Sequence, residues 1–296
     1  MFLTIFTPIY NRGRFVNRLF QTLENQKKIN FEWIIINDGS TDNTDKIIKN
    51  HLQNRYPFSI RYLKTQNGGK QRAINTAVKM AKGRYFFILD SDDLLMPETT
   101  QIIEKWCKEI SKLNNFSMYA GVSGTIITPN GKKLSGKEYD AKYIDLSNLE
   151  RSKKNLLGDM AEVYKTAILK KYPFYVFKGE NFITEESVWN KIAYDGYILR
   201  WHMYPIYIAE YLDDGLTKNA ITRDMKNYQG LAYNTKLSLK VKRFKDRIIA
   251  LNYYIYIGRR RKSTWKYIGK LINQPRYFLM IEYSLFNIAK KVKKLI

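Results

Sequence analysis

Cysteine is almost absent from this chain of 296 residues, and Cys107 is its only example. No disulfide can form within it, and the apolar spacing of TQIIEKWCKEISKL puts the thiol on a packed helical face rather than at a reactive site. Histidine is nearly as scarce, so the commonest general base has two candidates, His51 and His202. Negative charge is in deficit: 27 Asp and Glu against 51 Lys and Arg leave a formal net charge of +24. No uninterrupted apolar run reaches the ~18–20 residues of a membrane-spanning helix. The opening MFLTIFTPIYN turns polar too soon for a secretory signal and has no basic leader, so a reducing cytoplasmic location is expected. Two nucleotide signatures are also missing. No G-x-G-x-x-G follows the first apolar run, and QNGGKQR has the wrong spacing for a phosphate loop, which excludes a nicotinamide-binding fingerprint and a P-loop NTPase.

What is present is an alternation of short apolar runs with amphipathic stretches. LTIFT (3–7), FEWIIIN (31–37), SIRYLKT (59–65) and RYFFILD (84–90) read as strands, and the first, second and fourth are apolar on both faces. RFVNRLFQTLENQ, TDKIIKNHLQNR and KQRAINTAVKMAKG between them have helical spacing, the last with Gly83 as its expected end. This is an α/β pattern, a Rossmann-like open and mostly parallel sheet flanked by helices. Such sheets bind ligands beyond the carboxyl ends of their strands. At those ends stand Thr7, Pro8, Tyr10 and Asn11; Asn37, Asp38, Gly39 and Ser40; Gln66, Asn67, Gly68, Gly69 and Lys70; and Asp90, Ser91, Asp92 and Asp93. Three aspartates within four positions repel one another, and a positive charge among them relieves the conflict. Mg²⁺ or Mn²⁺ held by carboxylate and by substrate phosphates suits such oxygen ligands, and Lys70 after paired glycines suits a diphosphate.

TIFTPIYNRGRFVNRLFQTLENQ, FEWIIINDGSTDNT, QNGGKQRAINTAVKMAKGRYFFILDSDD and ITEESVWNKIA together resemble glycosyltransferase family 2, the nucleotide-diphospho-sugar transferases of GT-A fold, bacterial surface-polysaccharide type. The resemblance covers roughly residues 1–215. It implies that Pro8, Tyr10 and Asp38 hold the nucleotide base, that Asp90 contacts the ribose and that Asp92 ligates the metal. Thr7, Asn11, Gly39, Asn67, Gly69, Lys70 and Ser91 complete the expected nucleotide-sugar site, and Asp93 reads equally as a turn cap. One departure is Ile74, which stands where the family carries a basic residue, so Lys70 or Arg72 must make any corresponding phosphate contact. With histidine so scarce, GENFITEESVWNKIA offers Glu180, Glu185 and Glu186 as bases. Spacing to Trp189 matches Glu185 to the family's catalytic base, with Glu186 second.

The implied organisation is a catalytic domain over 1–215 and a basic, aromatic-rich helical extension over 216–296. From Lys236 onward, 17 Lys and Arg face only Asp246 and Glu282. Basic residues beside Trp265, Tyr267 and Phe278 at helical spacing suggest attachment to an anionic membrane surface, and packed helices with a solvated basic face are the plainer reading. The expected function is metal-dependent, inverting transfer of a sugar from a nucleotide-diphosphate donor, a UDP-sugar by preference, to a saccharide or lipid-linked acceptor. The expected place is the inner face of the cytoplasmic membrane. Asp159, Asp213 and Asp214 are further candidates near the site, each readable as a turn residue. A nucleic-acid binder would share the positive charge but not the strand-end aspartates. A phosphatase with a D-x-D nucleophile would carry that motif after its first strand rather than its fourth.

Overall fold

The computed structural model describes residues 1–135, 139–209 and 219–292. They form two compact units, Met1–Phe174 with Ile192–Tyr211, and Tyr175–Lys191 with Leu212–Ile296. The acidic stretch around Glu185, read from the sequence as part of a 1–215 domain, thus groups with the C-terminal helices.

The first unit opens with β1 (Leu3–Ile9), α1 (Gly13–Glu24), β2 (Phe31–Asn37), α2 (Thr44–His51), β3 (Ser59–Lys64), α3 (Lys70–Met80) and β4 (Tyr85–Ile88). The four strands are parallel in the order β3-β2-β1-β4. Position in the sheet explains their composition. Every residue of β2 is buried, whereas β3 lies at the edge and keeps a half-exposed, polar pattern. With β5 (Leu94–Leu95), α4 (Thr99–Ser111), β6 (Tyr119–Ile127), β7 (Tyr143–Leu146), β8 (Ala161–Lys165), α5 (Thr166–Leu169) and β9 (Ile198–Ile208) the sheet becomes mixed, while α6 (Glu186–Tyr194), which precedes β9 in the chain, begins in the second unit. β8 runs antiparallel to both β4 and β6, β9 runs parallel to β6, and β5 and β7 run antiparallel to β9.

Three sequence expectations shift here. Helix α3 ends at Met80, and Gly83 is not its terminating residue. A Cβ on Gly83 would stand 2.3 Å from the Thr4 amide nitrogen, so glycine is required there for close approach to β1. His51, a candidate base from the sequence, is half-buried and stacks on Phe20 at 4.0 Å, with Asn17 and Tyr56 at its ring nitrogens. His202 stacks on Trp106 at 3.8 Å, and burial followed by the Arg200 charge pushes its pKa down to about 3. Both histidines are packing residues. Cys107 is buried in α4 as expected, and burial pushes its thiol pKa up.

The second unit contains α7 (Ala220–Lys226), α8 (Tyr228–Val241), α9 (Phe244–Arg260), α10 (Trp265–Ile272) and α11 (Arg276–Val292). Its helices share a core of Tyr228, Leu251, Tyr254, Ile255, Ile257, Ile268, Ile272 and Leu279. Tyr228 and Tyr254 stack at 4.8 Å, and the Tyr254 hydroxyl donates to the Ile268 carbonyl. Among the described residues no helix is long and apolar enough to cross a membrane.

At the amino ends of the parallel strands lies a fully buried carboxylate, Glu32. It accepts from the Thr4 hydroxyl (2.7 Å) and the Lys82 amide (2.7 Å), and pairs with the Arg61 guanidinium. Burial alone would raise its pKa, but these donors outweigh it and hold the carboxylate below its ordinary range. Three neighbouring strands and the loop before β4 are tied together by this one group. Glu32→Gln leaves Arg61 without its counter-charge and should cost about 3 kcal/mol in chemical denaturation at neutral pH. Because the folded pKa lies below the unfolded one, Glu32's contribution is complete above the ordinary carboxylate range and is lost as pH falls through the folded value. The gap between wild type and variant should therefore shrink in acid, and a gap that stays constant with pH would contradict this account.

Candidate active site

The loops at the carboxyl ends of β1, β2, β3 and β4 are bonded to one another, which joins four separate turns into one connected cluster. Asn11, at a left-handed φ of 51°, donates its amide to the Ser40 hydroxyl at 2.9 Å, and its side-chain oxygen accepts from the Thr41 amide at 2.8 Å. The Gly13 amide reaches Asp42 at 3.2 Å. Asp38, which is 6% exposed, accepts the Gly68 and Gly69 amides on its two carboxylate oxygens at 2.8 and 2.7 Å, and its carbonyl accepts from the Asn67 side chain. Gly69 adopts φ 91° at the start of α3, a conformation that L side chains resist, and this lets two successive amides face one carboxylate.

The aspartate cluster begins two residues beyond β4. Lys70 bridges both oxygens of Asp90 at 2.7 and 2.9 Å. Arg12 approaches Asp92 at 3.9 Å, and Arg18 donates to the Asp92 carbonyl at 2.7 Å. From β9, the buried Tyr207 hydroxyl donates to Asp93 at 2.8 Å and accepts from the Asp90 amide at 2.9 Å. Asp93 thus closes a turn onto the Asp90 carbonyl and also binds Tyr207. Burial, and then the charge of Asp90, raise the pKa of Asp92, with Arg12 and Lys70 offsetting the rise only in part.

The other expected residues fall in different places. Thr7 is buried and its hydroxyl accepts from the Trp33 indole, so it faces the core. Pro8 and Gly39 are half-buried, Tyr10 is 46% exposed, and Ser91 is buried. Ile74 is buried, and Arg72 turns back onto the Gly68 carbonyl at 2.9 Å, which leaves Lys70 as the cation at the motif from that segment. Asp159 is exposed in the loop before β8, and Asp213 and Asp214 lie outside the described residues. Arg12, Arg18 and Tyr207 went unnoticed in the sequence. Arg12 and Arg18 are two more basic residues in a basic chain, and Tyr207 comes from a strand more than a hundred residues away.

In the second unit, Glu180 is buried and accepts the Gln229 and Gly230 amides at 2.7 and 2.8 Å, which caps α8. That role removes it from the candidate bases. The Glu185 carbonyl accepts from the Val188 and Trp189 amides at the start of α6, and its side chain is half-buried. Glu186 pairs with Lys242 at 2.5 Å and lies 3.5 Å from the Asn234 amide.

Among the described residues, no group of three or more His, Cys, Asp or Glu side chains is arranged to hold a metal. Asp90 and Asp92 nevertheless fit a divalent ion of the Mg²⁺ or Mn²⁺ kind. Such ions take one or two carboxylates and complete their shell with water and substrate oxygens. A bound cation would oppose the rise in the Asp92 pKa that burial and then Asp90 cause.

Residues 4–150 match the profile of the family described as Glycosyl transferase family 2. The chain is similar to a chondroitin synthase of Pasteurella multocida, 40% identical over 102 residues, which is 34% of this chain and 10% of that protein. It is also similar to the poly(ribitol-phosphate) beta-N-acetylglucosaminyltransferase TarS of Staphylococcus aureus, 26% identical over 193 residues, 64% of this chain and 32% of that protein. The matched part of the chain therefore spans a tenth to a third of these relatives. Among solved structures, TarS 1–349 in complex with UDP-GlcNAc superposes with a TM-score of 0.61 at 17% identity, covering 96% of this chain and 88% of that one. The mannosyltransferase PcManGT of Pyrobaculum calidifontis with GDP-Man and Mn²⁺ gives 0.55 at 16% identity, covering 99% and 82%. At these identities the likeness is one of fold.

A stability test of the crowded aspartates needs no ligand. Since the folded pKa of Asp92 lies above its unfolded value, the carboxyl destabilises the metal-free protein increasingly as pH rises from the unfolded to the folded pKa, and fully above it. Asp92→Asn should raise the melting temperature at neutral pH, and the gain should shrink as pH falls through the folded pKa and vanish below the ordinary carboxylate range. A lower melting temperature for the variant at neutral pH would contradict this electrostatic reading.

Proposed function

We propose, from the fact that this chain belongs to glycosyltransferase family 2 over residues 4–150 and has the GT-A fold, that it moves one sugar from a nucleotide-diphosphate donor to a hydroxyl of a saccharide or lipid-linked acceptor in cell-surface polysaccharide assembly. The observation that carries this reading is the aspartate pair beyond β4, faced by Lys70 and Arg12 and joined by hydrogen-bonded loops to the Asp38 turn. A nucleotide-diphosphate presents these same chemistries in sequence: a base for the Asp38, Pro8 and Tyr10 side, a ribose for Asp90, and a diphosphate for Lys70 and Arg12. TarS, solved with UDP and UDP-GlcNAc, is the reason to begin with uridine donors. The rival classes fit less well, because the D-x-D motif follows the fourth strand and neither rival accounts for the Asp38 turn.

Transfer breaks the bond between the anomeric carbon and the diphosphate oxygen, and the nucleotide diphosphate leaves with the electron pair. The acceptor oxygen forms the new bond from the opposite face and inverts the centre. Its proton must go to a base, and Glu185 is the first choice. Glu186, which pairs with Lys242, is second on the same spacing to Trp189. Asp92, with Asp90 beside it, would hold a divalent ion, which supplies positive charge to the leaving diphosphate. Lys70 and Arg12 exchange their carboxylate partners for phosphate oxygens as the donor enters. The lipid-linked form of acceptor accords with attachment to the cytoplasmic membrane face.

Thermal-shift titration with a panel of nucleotide-sugars, each with and without Mn²⁺, tests the reading. At least one donor should stabilise the wild type in a Mn²⁺-dependent way, and Asp92→Asn should lose that dependence. Glu185→Gln should bind the same donor normally while turnover falls by roughly 10²- to 10⁴-fold. If Glu186→Gln is the crippling change and Glu185→Gln is mild, the base is Glu186. If no nucleotide-sugar stabilises the wild type, the transferase reading fails.

A further inference from the structure

One face of α11 is apolar where a water-facing helix is normally polar. Tyr277, Phe278, Met280, Ile281 and Leu285 are 66, 41, 45, 58 and 59% exposed. At about 100° per residue they share one arc of the helix with Ser284. The opposite side faces protein. Leu279 is fully buried, Glu282 accepts from the Asn252 amide at 3.2 Å, and Tyr283 meets the Trp265 ring at 6.1 Å. Monomeric surfaces scatter large apolar groups singly, and a contiguous face of five such side chains marks a contact surface.

The charge on α11 and on the neighbouring helices of the same unit indicates what covers it. Arg276 is exposed at the start of α11, and Lys266 and Lys270 are exposed on α10. Arg259, Arg260, Arg261 and Lys262 are exposed where α9 turns into α10, and Arg259 lies over the Trp265 ring that in turn meets Tyr283. Further along the sequence comes KKVKKLI. Of the two acidic residues beyond Lys236, Glu282 is engaged by Asn252 on the protein side of the helix. A second copy of the chain would bring the same dense positive charge to the contact and be repelled, whereas an anionic lipid surface offers headgroups to the basic residues and an apolar layer to the arc.

We propose that α11 is a membrane-surface helix, with Tyr277, Phe278, Ile281 and Leu285 seated at the interface of an anionic bilayer and the flanking basic residues on its headgroups. This deepens the membrane attachment suggested above and rests on that reading only in that a lipid-linked acceptor gives attachment a purpose. It narrows the contact that the sequence suggested, keeping Phe278 and leaving out Trp265. Trp265 is half-buried between Arg259 and Tyr283, and α8, α9 and α10 share a core with Leu279 on the protein side of α11, so attachment is assigned to the outer face of α11.

The full-length chain should co-sediment at low salt with vesicles of phosphatidylglycerol and phosphatidylcholine in equal parts, and far less with phosphatidylcholine alone. The double variant Ile281→Glu/Leu285→Glu, altered only at exposed positions, should reduce this partition at least about tenfold with an unchanged circular dichroism spectrum. Lys266→Glu/Lys270→Glu should reduce it as well and make the remainder less sensitive to salt. Wild type that stays in solution at low salt, or a double variant that binds like wild type, overturns the proposal. So does a wild-type dimer in light scattering that the double variant converts to monomer, which would make a second copy the occupant. Donor binding measured on the same samples separates the outcomes, since its retention without vesicle binding rejects the α11 surface and leaves the transferase reading intact.

Discussion

Two carboxylates two residues apart, half-buried at the end of a strand, set the constraint that organises the candidate site. Asp90 and Asp92 cannot both ionise comfortably without positive charge, and the surrounding loops answer that requirement one by one. Lys70 reaches Asp90 from the start of α3, Arg12 comes toward Asp92 from the loop after β1, and Tyr207 pins the turn from β9. The compensation remains incomplete, as the raised pKa of Asp92 records. An incomplete balance of this kind is what a site for a cation and a polyanionic ligand needs before either arrives. The resident cations are also those best placed to receive phosphate.

The contrast with Glu32 sharpens the point. Both carboxylates belong to the same sheet, one at the amino ends of its strands and the other beyond the carboxyl ends. Glu32 is the more deeply buried, yet its pKa is lowered, because a hydroxyl, backbone amides and a guanidinium all converge on it. The pKa of Asp92 is raised, first by burial and then by the like charge of Asp90, with Arg12 and Lys70 offsetting only part of the rise. The first arrangement is what stability asks of a buried charge, and the second is tolerated only where function requires it. The two oxygens of Asp38 accept backbone amides that anchor the loop before α3.

Much of the first unit was legible from periodicity. Runs apolar on both faces became the buried parallel strands β1, β2 and β4, and the more polar run became the edge strand β3. The four strand-end clusters could be foreseen because a parallel α/β sheet places them side by side. What escaped was whatever depends on long-range approach. Tyr207 has no local signature, Gly83 looked like a helix end when its role is to let β1 pass close by, and Glu180 looked like a candidate base when it caps α8. In the extension, composition revealed charge and aromatics but could not separate Trp265, packed on Tyr283, from Ile281 and Leu285, which face outward. That difference is set by which side of each helix finds a neighbour.

The central claim is that the strand-end crevice holds a nucleotide diphosphate through a divalent ion on the aspartate pair. A crystal of the full chain grown with UDP and Mn²⁺, with anomalous diffraction collected at the manganese edge, tests it most directly. The account predicts one anomalous peak bonded to the Asp92 carboxylate and to diphosphate oxygens, with the uracil against the Asp38 turn. A nucleotide bound elsewhere on the chain, or a manganese peak away from Asp90 and Asp92, would contradict it.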